Sequence, residues 1–216
     1  MNEVLTLQYI YLIYSDAFVA QRERVMLTDR IIGAFTFRKG IYREVEEDAS
    51  FTGTAWMLVV VVAFLSQLGA NAAAGSIVGW LGGTVLGTLF AVIGFAVAAL
   101  VINFVGRTFF NAEVTFEELV RTLGLAYIWG IIGFIGILAA ISPALACVLA
   151  PAGIVAAILG IVAWFVAVKE ALDLDWVGTI ITVVVGWIVL FLVSAVAGAI
   201  LGVLGLGVSG LRGLTG

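Results

Sequence analysis

The sequence contains no histidine and only one cysteine among its 216 residues. Without histidine, the chain lacks the commonest metal ligand and the commonest general base, and also the usual axial ligand of haem. A lone cysteine, Cys147, can form neither a disulfide nor a cysteine-based metal site within one chain. These absences lead us to expect a protein that is not an enzyme and that has no cofactor and no metal centre.

Charge is scarce as well. Charged residues make up 11% of the chain and hydrophobic residues 63%, whereas an ordinary soluble domain is about a quarter charged. The mean hydropathy of +1.24 requires a lipid environment. A formal net charge of −4 does not suit nucleic acid, which would call for a basic surface. We therefore predict an all-α, polytopic membrane helix bundle in contact with the lipid bilayer and not with nucleic acid.

About five uncharged segments are long enough to cross a membrane, which takes roughly 20 residues in a helix. They cover approximately residues 56–74, 86–106, 123–141, 146–168 and 177–204. We expect an irregular start near Gly82 and Gly83, because the uncharged stretch from Ile77 is too long for one span. Pro151 should kink the fourth helix or delay its start. The predicted domains are a cytoplasmic N-terminal region (1–50), a five-span membrane domain (51–204) and a glycine-rich tail (205–216).

An amphipathic helix is predicted ahead of the first span. Ile31, Ile32 and Phe35 recur at helical spacing beside charged residues, and Thr28 is a candidate N-cap. Such a helix is expected to lie on the cytoplasmic surface of the membrane. For the first 25 residues two alternatives stay open: an interfacial or buried arm, or an extension upstream of a true start at Met26. A cleavable signal peptide is not expected.

A second amphipathic helix is predicted before the third span. Thr115 and Glu118 have the spacing of a capping box. Glu117 and Arg121 have the i, i+4 spacing of an ion pair. The apolar stripe consists of Phe116, Leu119, Val120 and Leu123. We expect this stripe to hold the segment against the membrane.

The basic residues predict the orientation. Nine of the ten lysines and arginines lie in the N-terminal region, the loop from Arg107 to Arg121 and the loop that contains Lys169; only Arg212 falls on the other side. The positive-inside rule then places the N-terminus in the cytoplasm and the C-terminus outside the cell membrane. All 14 acidic residues also lie on the predicted cytoplasmic side. No acidic residue is therefore expected near the middle of the membrane, where ion-coupled transporters usually hold one.

Two groups of residues are candidate contact sites. The acidic residues Glu117, Glu118, Glu170 and Asp173 are expected to share one cytoplasmic face, which either binds a partner or only keeps the loops solvated. The glycines of the spans are expected to allow close helix packing, within one chain or in self-association; they are Gly79, Gly83, Gly87, Gly198 and Gly202. Trp56, Trp80, Trp164 and Trp176 are interpreted as interfacial anchors.

Several segments carry a family resemblance. EVTFEELVRTLGLAYIW at Glu113–Trp129 resembles the third-helix entry of the prokaryotic branch of the Yip family, and NFVGRTFF and WFVAVKEALDLD resemble its exits from spans two and four. DRIIGAFTFRKGIYREVEEDASFTG resembles the amphipathic entry of that branch. The resemblance covers about residues 26–204. It implies five spans and a cytoplasmic N-terminus.

Three functions are consistent with the sequence. The first is a non-catalytic scaffold or accessory subunit that associates with other integral membrane proteins, including a subunit of a respiratory or photosynthetic complex. The second is a passive channel or permease for a small solute, which would need a polar lumen. The third, implied by the resemblance, is a membrane-organising protein similar to the Yip-family trafficking factors. A membrane enzyme is the least expected class.

Overall fold

A computed structural model describes residues 25–203, with the backbone alone at 143, 197 and 201–203. This part of the chain is helical and has no strand. It divides into two compact units between Ile41 and Tyr42. The predicted all-α fold is confirmed. The predicted tail at 205–216 and the first 24 residues lie outside the described part, and the predicted three-domain division stays a prediction.

In the first unit, residues 25–35 are helical and are called α1. Asp29 and Arg38 form an ion pair of 2.6 Å that links the helix to the turn after it. The prediction that Thr28 caps this helix is wrong, because Thr28 lies within the helix. Whether α1 lies on the membrane surface stays a prediction.

The first spanning helix starts and ends earlier than predicted. A short helix, α2 (Ile41–Glu47), leads into α3 (Phe51–Ala70). The Asp48 carboxylate accepts hydrogen bonds from the Ser50 amide (3.0 Å) and hydroxyl (2.5 Å), which fixes the turn between them. At the other end, the Asn71 side chain donates to the Gln67 carbonyl (2.9 Å) and closes the helix.

The second spanning helix, α4 (Ile77–Phe110), is continuous. The predicted irregular start at Gly82 and Gly83 is therefore wrong. The hydroxyl of Ser76 caps the helix by accepting from the Gly79 amide, so regular structure begins well before these glycines. At 1.5 Å per residue the helix is about 51 Å long. It ends where Asn111 adopts a left-handed conformation (φ 54°), which asparagine tolerates.

The third span changes helix type in the middle. It consists of α5 (Phe116–Ala126), a 3₁₀ segment (Tyr127–Ile135) and α6 (Gly136–Ile141). A 3₁₀ run of nine residues is long for this conformation. The predicted placement of the α5 stripe against the membrane is wrong, since Leu119, Val120 and Leu123 are fully buried within the protein. The stripe instead packs α5 between α3 and α7.

The last two spans are long helices. Ser142 caps α7 (Pro143–Leu172), so the prediction of a late start at Pro151 is wrong; this proline lies inside the helix. Asp175 accepts from the Gly178 amide (2.9 Å) at the start of α8 (Trp176–Val203). Among the described residues, five helical stretches are long and apolar enough to cross a membrane. The predicted number of spans is confirmed.

Candidate functional site: the charged end of the bundle

Charged side chains gather at one end of the described part of the second unit, residues 42–203. Between residues 42 and 203 they occur only at positions 43–48, 107–121 and 169–175. Because consecutive spans run in opposite directions, these positions meet around α2, the end of α4, the start of α5 and the turn from α7 to α8. We call this region the charged end. The opposite, uncharged end contains the turns at 71–76 and 142.

Arg121 fixes two elements of the charged end to each other. Its side chain is only 6% exposed. Its guanidinium donates to the Glu46 carbonyl oxygen, through Nε at 2.9 Å and also through an Nη, and to the Thr52 hydroxyl at 3.1 Å. Arg121 therefore binds Glu46 and Thr52 instead of forming the predicted ion pair with Glu117. Its charge instead holds the end of α2 and the first turn of α3 against α5.

The start of α5 is closed by the predicted capping box. The Thr115 hydroxyl accepts from the Glu118 amide at 3.3 Å, and the Glu118 carboxylate accepts from the Thr115 amide at 2.7 Å. A carboxylate in the first turn is also favoured by the helix dipole. The capping-box prediction is confirmed.

Arg43 connects α2 to the end of α7. Its guanidinium pairs with the Asp173 carboxylate at 2.5 Å, and its backbone amide donates to the Glu170 carboxylate at 3.3 Å. Both side chains of the ion pair are more than half exposed, so solvent screens the attraction. Tyr42, next in the chain, is buried, and burial together with the nearby Glu170 carboxylate raises the pKa of its phenol.

The carboxyl group of Glu46 has a clearly raised pKa. Partial burial raises its pKa to about 7, and the carboxylates of Glu118, Asp173 and Glu47 add to the increase, while Arg43 opposes it. The group therefore titrates near neutral pH. Its surroundings also establish that acids from α2, α5 and the end of α7 lie close together.

The four predicted contact acids have different surroundings. Glu117 is exposed on α5, and Glu118 is occupied by the capping box. Glu170 and Asp173 both accept from Arg43.

Sequence reasoning missed the central part that Arg43, Glu46 and Arg121 play. The spacing of Ile41, Tyr42 and Val45 is a signal that could have indicated a buried face on α2, with Glu46 at its margin.

The predicted packing glycines lie at varied places. Gly79 is at the capped start of α4, and Gly83 is buried in that helix. Gly87 lies directly against the Gln67 side chain of α3, whereas Gly198 has open space where a Cβ would be. Gly202 lies in α8, but its surroundings fall outside the described part.

The tightest helix contact was not predicted. A Cβ on Gly69 of α3 would overlap the carbonyl oxygen of Gly133 in the 3₁₀ segment. A Cβ on Gly136 would come within 2.8 Å of the Gly69 carbonyl oxygen, and one on Gly124 within 3.0 Å of the Ala55 Cβ. Small residues allow this close approach. These glycines lie in α3 and in the third span, far apart in the sequence, so no single sequence motif marks the contact.

Aromatic rings fill the middle of the bundle. Phe95 makes edge-to-face contacts with Trp56, Tyr127 and Trp164, at centroid distances of 5.7, 5.5 and 6.3 Å. The interpretation of Trp164 as an interfacial anchor is wrong, because it is 8% exposed within the bundle.

In the part of the chain that the structure describes, no three potential metal ligands cluster.

Five apolar spans and, between residues 42 and 203, charged side chains confined to one end define the class: a polytopic α-helical membrane protein. The Yip1 domain model matches residues 32–198, which is most of the chain, and the protein belongs to the Yip1 domain family. The expected family is thus confirmed. Neither the curated proteins nor the solved structures gave a match.

Proposed function

We propose that this protein is a non-catalytic scaffold or accessory subunit that associates with other integral membrane proteins through its charged end. One observation carries the proposal: between residues 42 and 203 the charged side chains gather at one end of the bundle, and the rest of each spanning helix is uncharged. Arg121 and Arg43 hold the elements of this end together. The surface therefore has a fixed shape that a partner can recognise.

The same end is proposed to face the cytoplasm. All four basic residues between positions 42 and 203 lie at this end, as the positive-inside rule requires of a cytoplasmic surface. The host is then the cell membrane, with the C-terminus outside. A partner surface with basic residues would meet an acidic rim, and charge complementarity chiefly raises the rate and specificity of such an encounter.

Between residues 42 and 203, the charged side chains of the spanning helices lie only at the charged end, which supports a role without catalysis or ion coupling. The buried core consists mainly of alanine, valine, leucine, isoleucine and phenylalanine. A passive channel or permease would need a polar lumen, so this candidate has less support. Family membership favours the remaining candidate, a membrane-organising role similar to that of the Yip-family trafficking factors.

A capture experiment tests the proposal. The tagged protein, purified in mild detergent, is compared with the variant Glu117→Gln, Glu118→Gln, Glu170→Gln and Asp173→Asn. Glutamine at 118 and asparagine at 173 can still accept the local hydrogen bonds, so the variant should keep its fold. We expect it to lose partners, and wild-type capture to weaken at high salt.

The control variant changes the lipid-facing surface of α7 instead. Val148, Ile154 and Val155 are 74%, 61% and 56% exposed, and all three are replaced by alanine. This control should retain the partners. Equal recovery by wild type and the acidic-face variant, at equal yield and monodispersity, would reject the proposed contact. Loss of partners in the α7 control alone would move the contact to the spans.

A further inference from the structure

A mainly apolar cavity with a few polar groups on its wall opens into the bundle near its uncharged end. Its volume is about 340 Å³. It is bordered by Gln67 of α3, Gly87 of α4, Tyr127 of the third span, and Ser194 and Gly198 of α8. Ser194 and Gly198 are exposed, so the cavity is accessible from outside the bundle. Gln67 lies three residues before the end of α3, about 4.5 Å from it along the helix axis.

A second cavity of about 320 Å³ adjoins the first. The two share Tyr127, Trp164 and Leu190 as lining residues. Gly130 and Gly160 form part of its wall, and the absence of a side chain on Gly160 lets α7 lie close to Trp129 of the third span. These positions lie near the middle of their spans, so the second cavity is at mid-membrane depth. Apolar cavities of this kind stay dry and accept hydrocarbon.

Two polar side chains with hydrogen-bonding groups, Gln67 and Ser194, border the first cavity. The Gln67 Oε1 accepts from the Asn71 Nδ2 at 3.1 Å, which directs the Nε2 donors elsewhere. The Ser194 hydroxyl borders the same space. Among the described residues, no charged side chain lines either cavity. A charged headgroup would therefore be desolvated without a counter-ion, which is strongly unfavourable.

We propose that the two neighbouring cavities together bind a neutral single-chain amphiphile, with a hydroxyl or carbonyl head at Gln67 and Ser194 and a hydrocarbon chain that passes Tyr127 and Trp164 towards Gly160. The polar end lies near the membrane boundary and the apolar end at mid-depth. This order matches the way such a lipid sits in a leaflet. A monoacylglycerol has this chemistry.

The test uses the full chain in phosphatidylcholine nanodiscs and a monoacylglycerol with a diazirine in its acyl chain. After illumination, peptide mass spectrometry should locate adducts at residues 126–130 and 156–164, and unlabelled monoacylglycerol should suppress them. The fatty acid of equal chain length, ionised at pH 9, should compete at least about tenfold less well. Equal competition would overturn the requirement for a neutral head.

Two glycine variants give a matched pair. At both Gly198 and Gly153 a Cβ would meet nothing within 4 Å, but only Gly198 borders the cavity. Gly198→Leu should lower the adduct yield about tenfold by filling the site, and Gly153→Leu should leave it unchanged. Ser194→Ala should weaken competition by the monoacylglycerol about fivefold, as expected for one hydrogen bond. Adducts spread over the lipid-facing surface, or unchanged labelling in Gly198→Leu, would overturn the proposal.

Discussion

Helices α3 and α7 belong to the same bundle, yet the more hydrophobic of the two is the less buried. The most apolar window of α3 has a mean hydropathy of 1.8 and is 33% buried in the protein, while that of α7 has 2.6 and is 6% buried. In water the order would be reversed. In a membrane, lipid solvates apolar side chains, so helix contacts depend on close packing and hydrogen bonds instead.

The two helices also use different means of attachment. Along α3, Gly69 touches the third span directly, and Thr52 accepts from the buried Arg121. In α7, residues around Val148 and Ile154 are exposed, and the far end is linked to α2 by the exposed Arg43–Asp173 ion pair. We therefore expect substitutions at α3 contacts to cost more stability than equivalent substitutions in α7.

The largest expected effect comes from a methyl group on Gly69. Gly69→Ala places a Cβ against the Gly133 backbone, which cannot move like a flexible side chain, so we expect a loss of about 3 kcal/mol or more. Gly153→Ala in α7 meets open space and should stabilise the helix by up to about 1 kcal/mol. Thermal unfolding in detergent compares them. Equal melting temperatures of the two variants would refute the expectation that α3 contacts contribute more stability than α7 contacts.

Removal of the buried arginine should have the next largest effect. Arg121→Met leaves the Glu46 carbonyl and the Thr52 hydroxyl without their charged donor, at a cost of about 2–3 kcal/mol. Arg107 is exposed, so Arg107→Met is the matched control and should change stability by less than about 0.5 kcal/mol. Chemical unfolding followed by tryptophan fluorescence measures both. Similar losses in the two variants would contradict the anchoring role of Arg121.

Glu46 predicts how the stability of this region depends on pH. Its pKa is raised in the folded protein to about 7, so the folded state binds the proton more tightly than the unfolded state. The free energy of unfolding should then fall as pH rises from about 4.5 to about 7. Glu46→Gln should flatten this fall. The stability of the variant relative to wild type should therefore be higher at pH 8 than at pH 5. The exposed Glu113→Gln variant should retain the wild-type profile; a wild-type profile in Glu46→Gln would exclude this origin.

The smallest effect is expected at the end of α7. Asp173→Asn removes the charge partner of Arg43 but suits the left-handed backbone at this position (φ 47°). Because the ion pair is exposed, the loss should be below about 1 kcal/mol and should shrink at high salt. The melting temperatures of wild type and variant, compared at low and high salt, measure it. A larger, salt-independent loss would mean that α7 is held as firmly as α3.

Local sequence signals predicted the features that depend on near neighbours. The capping box of Thr115 and Glu118 needs only residues three apart, and the five spans follow from hydropathy. The missed features depend on contacts between distant segments. Arg121 meets Glu46 across 75 positions, and Gly69 meets Gly133 across 64. The apolar stripe of α5 was predicted correctly from its periodicity. Periodicity does not show, however, whether lipid or protein covers such a stripe.

Thiol accessibility tests most directly whether the charged end and the uncharged end face opposite sides, with the charged end inside. In a Cys147→Ser background, single cysteines are placed at Ala73, in the turn after α3, and at Glu117, in the first turn of α5; both positions are exposed. A membrane-impermeant maleimide should label Ala73→Cys in intact cells and Glu117→Cys only after permeabilisation. Labelling of Glu117→Cys in intact cells, or equal labelling of both, would contradict this arrangement.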